Sequence, residues 1–113
     1  MCNLFAYGTL LFPGTMREVA GCSPHSVPAV LPGYARRAVR GEQYPAILPE
    51  AGNRVEGLVY LNVPATAWER LDRYEGKMYV RTSVRVILED GTTVSADTYV
   101  IHPDWSGQLE LHE

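Results

Sequence analysis

Glu75 is the residue of this chain best placed to move a proton, because it stands where two rules disfavour an acid. The stretch Ala65 to Glu75 reads as a helix, started by Pro64 in the first turn and stopped by Gly76, with Asn62 as its cap. At about 100° per residue, Trp68, Leu71 and Glu75 fall on one side of it. Glu69, Arg70, Asp72 and Arg73 fall largely on the other. A carboxylate is disfavoured at a helix C-terminus, where the macrodipole is negative. It is also disfavoured among apolar groups unless it is paired or neutral. Both effects raise its pKa and make it a better proton acceptor. A second reading leaves the last turn frayed, with Glu75 in solvent or paired to Lys77 or Arg81.

The other stretch with chemical potential lies at the start. Asn3-Leu4-Phe5-Ala6-Tyr7 is a short apolar run suited to a strand buried on both faces, and it breaks at Gly8-Thr9-Leu10. Glycine there permits a sharp turn, a positive φ or a close approach to a ligand. Exposed N–H groups in such a turn form an anion or oxyanion site. From these residues alone, an ordinary strand end with a turn glycine is the simpler reading.

Several classes are excluded by what the chain lacks. Cys2 and Cys22 form no CxxC pair, and His25, His102 and His112 have no metal-ligand spacing, so no metal site is expected. The net charge of −3 argues against nonspecific nucleic-acid binding, which needs a basic face. No apolar run approaches the roughly 20 residues that span a bilayer, and no signal segment opens the chain, so a cytoplasmic protein is expected. With 113 residues, 46 % hydrophobic and 20 % charged, residues 1–113 are expected to form one globular domain.

The elements that must position Glu75 and the first turn follow in order. Thr15 to Ala20 reads as a short helix with a Thr15–Glu18 capping box, ended by Gly21. Val27 to Val39, broken by Pro28 and Pro32, reads as an irregular or edge strand. Arg36, Arg37 and Arg40 beside it read first as a solvated face, with contact to an acidic substrate as the alternative. Ala46 to Leu48 is a short strand, Ala51-Gly52-Asn53 a turn, and Val55 to Val63 a strand apolar on both faces, which suits a closed or covered sheet. Met78 to Leu88 and Thr93 to Ile101 form a hairpin. A three-residue loop, Asp90 to Thr92, would pair Leu88 with Val94 and Val86 with Ala96, keeping apolar opposite apolar. Trp105 is expected to pack the tail against the domain.

With both ends in view, the chain resembles the gamma-glutamylcyclotransferase-like family. Phe5-Ala6-Tyr7-Gly8-Thr9-Leu10 is similar to that family's Tyr-Gly-Ser/Thr-Leu loop after the first strand. Tyr44-Pro45-Ala46-Ile47 looks like its Tyr-Pro-Ala segment. Val55-Glu56-Gly57-Leu58-Val59-Tyr60 looks like the strand that follows. Leu71-Asp72-Arg73-Tyr74-Glu75-Gly76, with Tyr79 and Arg81, resembles its Leu-Asp-x-x-Glu-Gly-x-x-Tyr-x-Arg helix end. Thr9 stands where some members carry serine.

The resemblance implies an α+β fold: a small mixed β-barrel-like sheet flanked by short helices, with a pocket between the first-strand loop and the acid. It implies cyclisation of a small gamma-glutamyl substrate to 5-oxoproline with release of an amine or amino acid, and no cofactor. Carried over, Glu75 is the general acid/base. Tyr7, Gly8, Thr9 and Leu10 cradle the substrate, and Tyr44 and Tyr79, with Tyr99, are candidate pocket walls. Two alternatives share the pocket. One is a module that binds a small acidic metabolite without turnover. The other is a related cyclotransferase acting on a gamma-glutamyl-tagged biosynthetic intermediate.

Overall fold

The computed structural model describes residues 2–41 and 45–108. Five strands, β1 (Cys2–Ala6), β2 (Ser26–Ala38), β3 (Pro45–Val63), β4 (Tyr79–Leu88) and β5 (Thr93–Ile101), close into a barrel in the order β1-β3-β2-β4-β5. All neighbours are antiparallel except β1 and β5, which run parallel and meet at Leu4 and Asp97. Helices α1 (Pro13–Ala20) and α2 (Ala65–Glu75) belong to the outer layer.

Alternation along the strands divides the apolar residues into two layers. Phe5, Leu31, Ile47, Val55, Val59, Val84, Val86 and Ala96 fill one cluster, the barrel interior. Leu4, Ala6, Tyr60, Val63 and Tyr99 face outward and pack with Met16 and Ala20 of α1 and Ala67, Trp68 and Leu71 of α2. β1 is therefore buried on both sides, as its unbroken apolar run anticipates. Gly57 in β3 is needed for this. A Cβ there would stand 2.2 Å from the Ala6 carbonyl oxygen and 3.0 Å from the Phe5 ring.

Five local readings of the sequence are corrected. Helix α1 begins at Pro13 with no side-chain cap, because proline at the first helical position needs no N–H; Thr15 lies inside the helix. Asn62 is not a helix cap either. Its φ of 55° sits at a register shift between β1 and β3, and its N–H donates to Asn3 Oδ1 at 3.0 Å. Strand β2 is internal to the barrel, pairing on both sides. It tolerates proline because its ladder to β4 covers only Ala29 and Val30, which excludes Pro28 and Pro32. The Ala51–Asn53 stretch does not separate two strands. β3 runs through it with a register shift opposite Gly33 (φ 81°). Finally, Trp105 is 42 % exposed and does not seal the tail.

The β4–β5 loop has three residues as expected, one position earlier in the chain. The Leu88 N–H donates to the Thr92 carbonyl, and Val86 faces Val94. Gly91 takes the left-handed third position (φ 87°), which favours glycine, and this fixes the loop as Glu89-Asp90-Gly91. Apolar still faces apolar.

Replacing Gly57 by alanine is expected to lower unfolding stability by about 3 kcal/mol, the upper end of overpacking costs. Gly14→Ala, where a Cβ meets nothing within 4 Å, should change it by well under about 1 kcal/mol. Urea unfolding of the two variants beside the parent protein checks this.

Candidate active site

Where β1 ends, Gly8 (φ −124°) leads into a 3-10 turn, Thr9–Leu11. Gly8 therefore does not use a positive φ. A Cβ there would meet the Pro45 ring at 3.4 Å, an ordinary contact, so Pro45 lies directly beside the turn. The turn is secured by its own bonds, Leu11 N–H to Gly8 O at 3.0 Å and Phe12 N–H to Thr9 O at 3.2 Å. From the outer layer, the buried Tyr60 hydroxyl donates to the Leu10 carbonyl at 2.6 Å. Among the described residues, the N–H groups of Gly8, Thr9 and Leu10 donate to no backbone acceptor. They are the donors the turn has to offer.

Helix α2 brings Glu75 to the same place. Ala67, Trp68 and Leu71 are buried, Glu69, Arg70, Asp72 and Arg73 are exposed, and Glu75 is half-buried at the end of the apolar stripe. The last turn is not frayed. Asp72, one turn before Glu75, accepts a hydrogen bond from Tyr99 Oη of β5 at 2.7 Å and lies 3.6 Å from Arg81 Nε of β4. Arg81 also approaches Asp97 at 3.9 Å and stacks over the Trp68 ring at 4.8 Å. Arg81 thus steadies the helix end through Asp72. Among the described residues, no cation lies within ion-pair distance of Glu75, neither Lys77 nor Arg81.

Gly8, Thr9, Leu10 and Glu75 line one cavity of about 310 Å³, together with Tyr7, Pro45, Tyr74, Met78, Tyr79 and Tyr99 and the β1 residues Leu4 to Ala6. Burial pushes the Glu75 carboxyl from its ordinary 4.5 up to about 7. Burial also holds the Tyr7 phenol well above its usual range, helped by the nearby Tyr79 and Glu75. Its hydroxyl donates to the Tyr99 carbonyl, so Tyr7 is a neutral, fixed wall. Burial and the bond to Asp72 likewise raise Tyr99 and keep it protonated. Tyr79 Oη donates to the Pro45 carbonyl at 2.8 Å and ties the base of β4 to the start of β3.

Of the residues singled out in the sequence, Tyr7, Gly8, Thr9, Leu10, Glu75, Tyr79 and Tyr99 all line this cavity. Tyr44 lies outside the described residues, although its neighbour Pro45 is a wall. Sequence reasoning missed Tyr74 and Met78. Tyr74 shares a hydrogen bond with Thr9 Oγ1 at 2.9 Å, joining the helix end to the turn across the cavity. Its place next to Glu75 was the available signal. Arg36, read as solvated, donates from Nη1 to the Tyr7 carbonyl at 3.1 Å. Among the described residues no cluster of metal-binding side chains occurs, and no helix is long and apolar enough to cross a membrane.

The sequence matches the family described as gamma-glutamyl cyclotransferase, AIG2-like, over residues 4–113. AIG2-like protein A of Arabidopsis thaliana is 32 % identical over 116 residues, spanning 98 % of this chain and 70 % of that protein. A second Arabidopsis thaliana protein, known from a solution structure, superposes with a TM-score of 0.81 at 30 % identity, covering 97 % of this chain and 70 % of the other. A structure of a gamma-glutamyl cyclotransferase superposes with a TM-score of 0.75 at 18 % identity, covering 96 % of this chain and 68 % of the other, which shows the shared fold.

The raised carboxyl makes a stability prediction. A Glu75 held at about 7 in the folded protein, against an ordinary value when unfolded, supports folding fully below pH ~4.5 and loses that support as pH rises through about 7. Relative to Glu75→Gln, the parent protein should therefore lose stability between these pH values. The loss should be on the order of 3 kcal/mol and level off above. Urea midpoints of both proteins from pH 4 to 9 measure it.

Proposed function

We propose that this chain, which belongs to the AIG2-like gamma-glutamyl cyclotransferase family, cyclises a gamma-glutamyl amine or gamma-glutamyl amino acid to 5-oxoproline and releases the amine, with Glu75 as the proton carrier. One observation carries the reading: the half-buried Glu75 lines the same small cavity as Gly8, Thr9 and Leu10, whose N–H groups donate to no backbone acceptor among the described residues.

The chemistry needs little else. The α-amine of the substrate is protonated at neutral pH and cannot attack its own δ-carbonyl. An ionised Glu75 takes that proton, and its raised pKa makes it a competent base near neutrality. The freed amine attacks the δ-carbon, forming the ring C–N bond and a tetrahedral oxyanion. Amides of the first turn are the donors available to that oxyanion or to the substrate's carboxylate. Protonated Glu75 then gives its proton to the leaving nitrogen and the exocyclic C–N bond breaks; the regenerated carboxylate takes the extra proton from the ring nitrogen and passes it to the departing amine, leaving neutral-lactam 5-oxoproline and an ammonium product. Nucleophile and electrophile belong to one molecule, so the site has mainly to select the folded-over conformer. No nucleophilic serine or cysteine is required, and none lines the cavity among the described residues. A pocket that only bound an acidic metabolite would gain nothing from an inward carboxylate, which favours turnover over storage.

The test is 5-oxoproline release over a panel of gamma-glutamyl amines and amino acids. Glu75→Gln keeps the shape and loses the base, so kcat/KM should fall about 10²–10⁴-fold on the best substrate. Because the base must be ionised, the parent protein's kcat/KM should rise with pH through an inflection of about 7. Equal turnover by both proteins would remove Glu75 from the mechanism.

A further inference from the structure

Among the described residues, Glu75 is the one ionisable acid or base other than tyrosine that lines the cavity, and the guest would bring a carboxylate of its own. Among the described residues no lysine, arginine or histidine lines it. Both the carboxylate of a gamma-glutamyl group and the oxyanion formed on it need positive charge that the walls do not display. The charge closest to the turn through a bonded contact lies behind it. Arg36 in β2 pairs with Ile47 of β3, a barrel-interior residue, so the pleat turns Arg36 inward as well. From there its Nη1 donates to the Tyr7 carbonyl oxygen at 3.1 Å.

That oxygen and the Gly8 N–H belong to one planar trans peptide and point in opposite directions. A cation holding the oxygen from the barrel side therefore fixes the plane and sets the N–H facing away from the barrel. Gly8 is itself a cavity wall. A charged donor also makes the stronger bond, and hydrogen bonds in series polarise one another, so the N–H beyond becomes a better donor.

We propose that Arg36 is a positioning residue: it holds the Tyr7 carbonyl from inside the barrel and thereby aims and polarises the Gly8 N–H at an anionic oxygen of the bound glutamyl group. Arg36 touches no substrate and acts through one peptide plane. The proposal rests on the cavity being a gamma-glutamyl pocket. It does not require that Glu75 turn the substrate over. Arg37, next in sequence, pairs instead with Glu50 at 2.8 Å and donates to the Arg36 main-chain carbonyl at 2.9 Å; among the described residues its side chain is not bonded to the Tyr7 peptide.

The test is a titration with 5-oxoproline, followed at the Gly8 amide in 15N–1H spectra of the parent protein, Arg36→Met, Arg36→Lys and Arg37→Met. In the parent and in Arg37→Met, 5-oxoproline should shift the Gly8 amide with equal Kd. In Arg36→Met the free Gly8 resonance should already be displaced and Kd should rise by about tenfold or more. Arg36→Lys, which keeps the charge without the planar fork, should fall between. Unmoved amides of Gly91 and Thr92, in the distant β4–β5 loop, show that the variants are folded. If Arg36→Met does not fold, Arg36→Lys decides. Parent-like affinity and Gly8 shift in a folded Arg36 variant would overturn the proposal, as would a parent protein whose Gly8 amide ignores 5-oxoproline. Arg36-dependent binding in a protein that cyclises no gamma-glutamyl amine or amino acid would uphold Arg36 and defeat the catalytic reading of Glu75.

Discussion

Everything about the site depends on β1 being enclosed on both faces. Phe5 points into the barrel and Leu4 and Ala6 point under the helices, so the strand cannot shift without opening two apolar layers. Leu4 and Phe5 are fully buried, each contributing roughly 1.5–3 kcal/mol of transfer free energy. The end of such a strand is fixed in space, and there the chain releases Gly8, Thr9 and Leu10. The outer layer does double duty. It covers β1, and by packing Trp68 and Leu71 against it, delivers the C-terminal end of α2 to the same end of the strand. Loop and acid meet because both are attached to opposite edges of one packing problem.

A buried carboxyl resists being placed, and the structure holds Glu75 by clamping its neighbour. Asp72 sits one turn back on the exposed side of the helix and takes the Tyr99 hydroxyl and the Arg81 guanidinium. Arg81, one of the two cations the sequence offers to Glu75, is thereby engaged elsewhere. Arg81 is spent on Asp72, Asp97 and the Trp68 ring. Glu75 is left with desolvation alone, and this raises its carboxyl to about 7. Of two acids three residues apart, one is bonded to its neighbours and the other faces the cavity, the arrangement the proposed proton transfer needs.

Much of this was legible in the sequence because it follows from period. The apolar run of β1, the two-faced β3 and the stripe of α2 each announce their burial, and the stripe alone marks Glu75 as anomalous. The stop at Gly76 and the resemblance at Tyr7 to Leu10 place the other half. What was not legible depends on contacts far apart in the chain. Arg36 looks like one of three solvated arginines until barrel closure turns it toward Tyr7, 29 residues away in the chain. Pro28 and Pro32 argue for an edge strand unless one knows that the ladder to β4 is two residues long. Trp105 reads as a tail anchor on hydrophobicity and is half exposed. The β4–β5 loop was mislaid by one position because apolar pairing tolerates either register, and only the left-handed φ of Gly91 decides.

The central claim is that burial alone makes Glu75 a base poised near neutrality. Its most direct measurement is an NMR titration of the Glu75 side-chain carboxyl carbon in the intact protein, assigned by comparison with Glu75→Gln. A midpoint of about 7 is the predicted result. A midpoint of about 4.3, that of an ordinary solvated glutamate, would contradict the account.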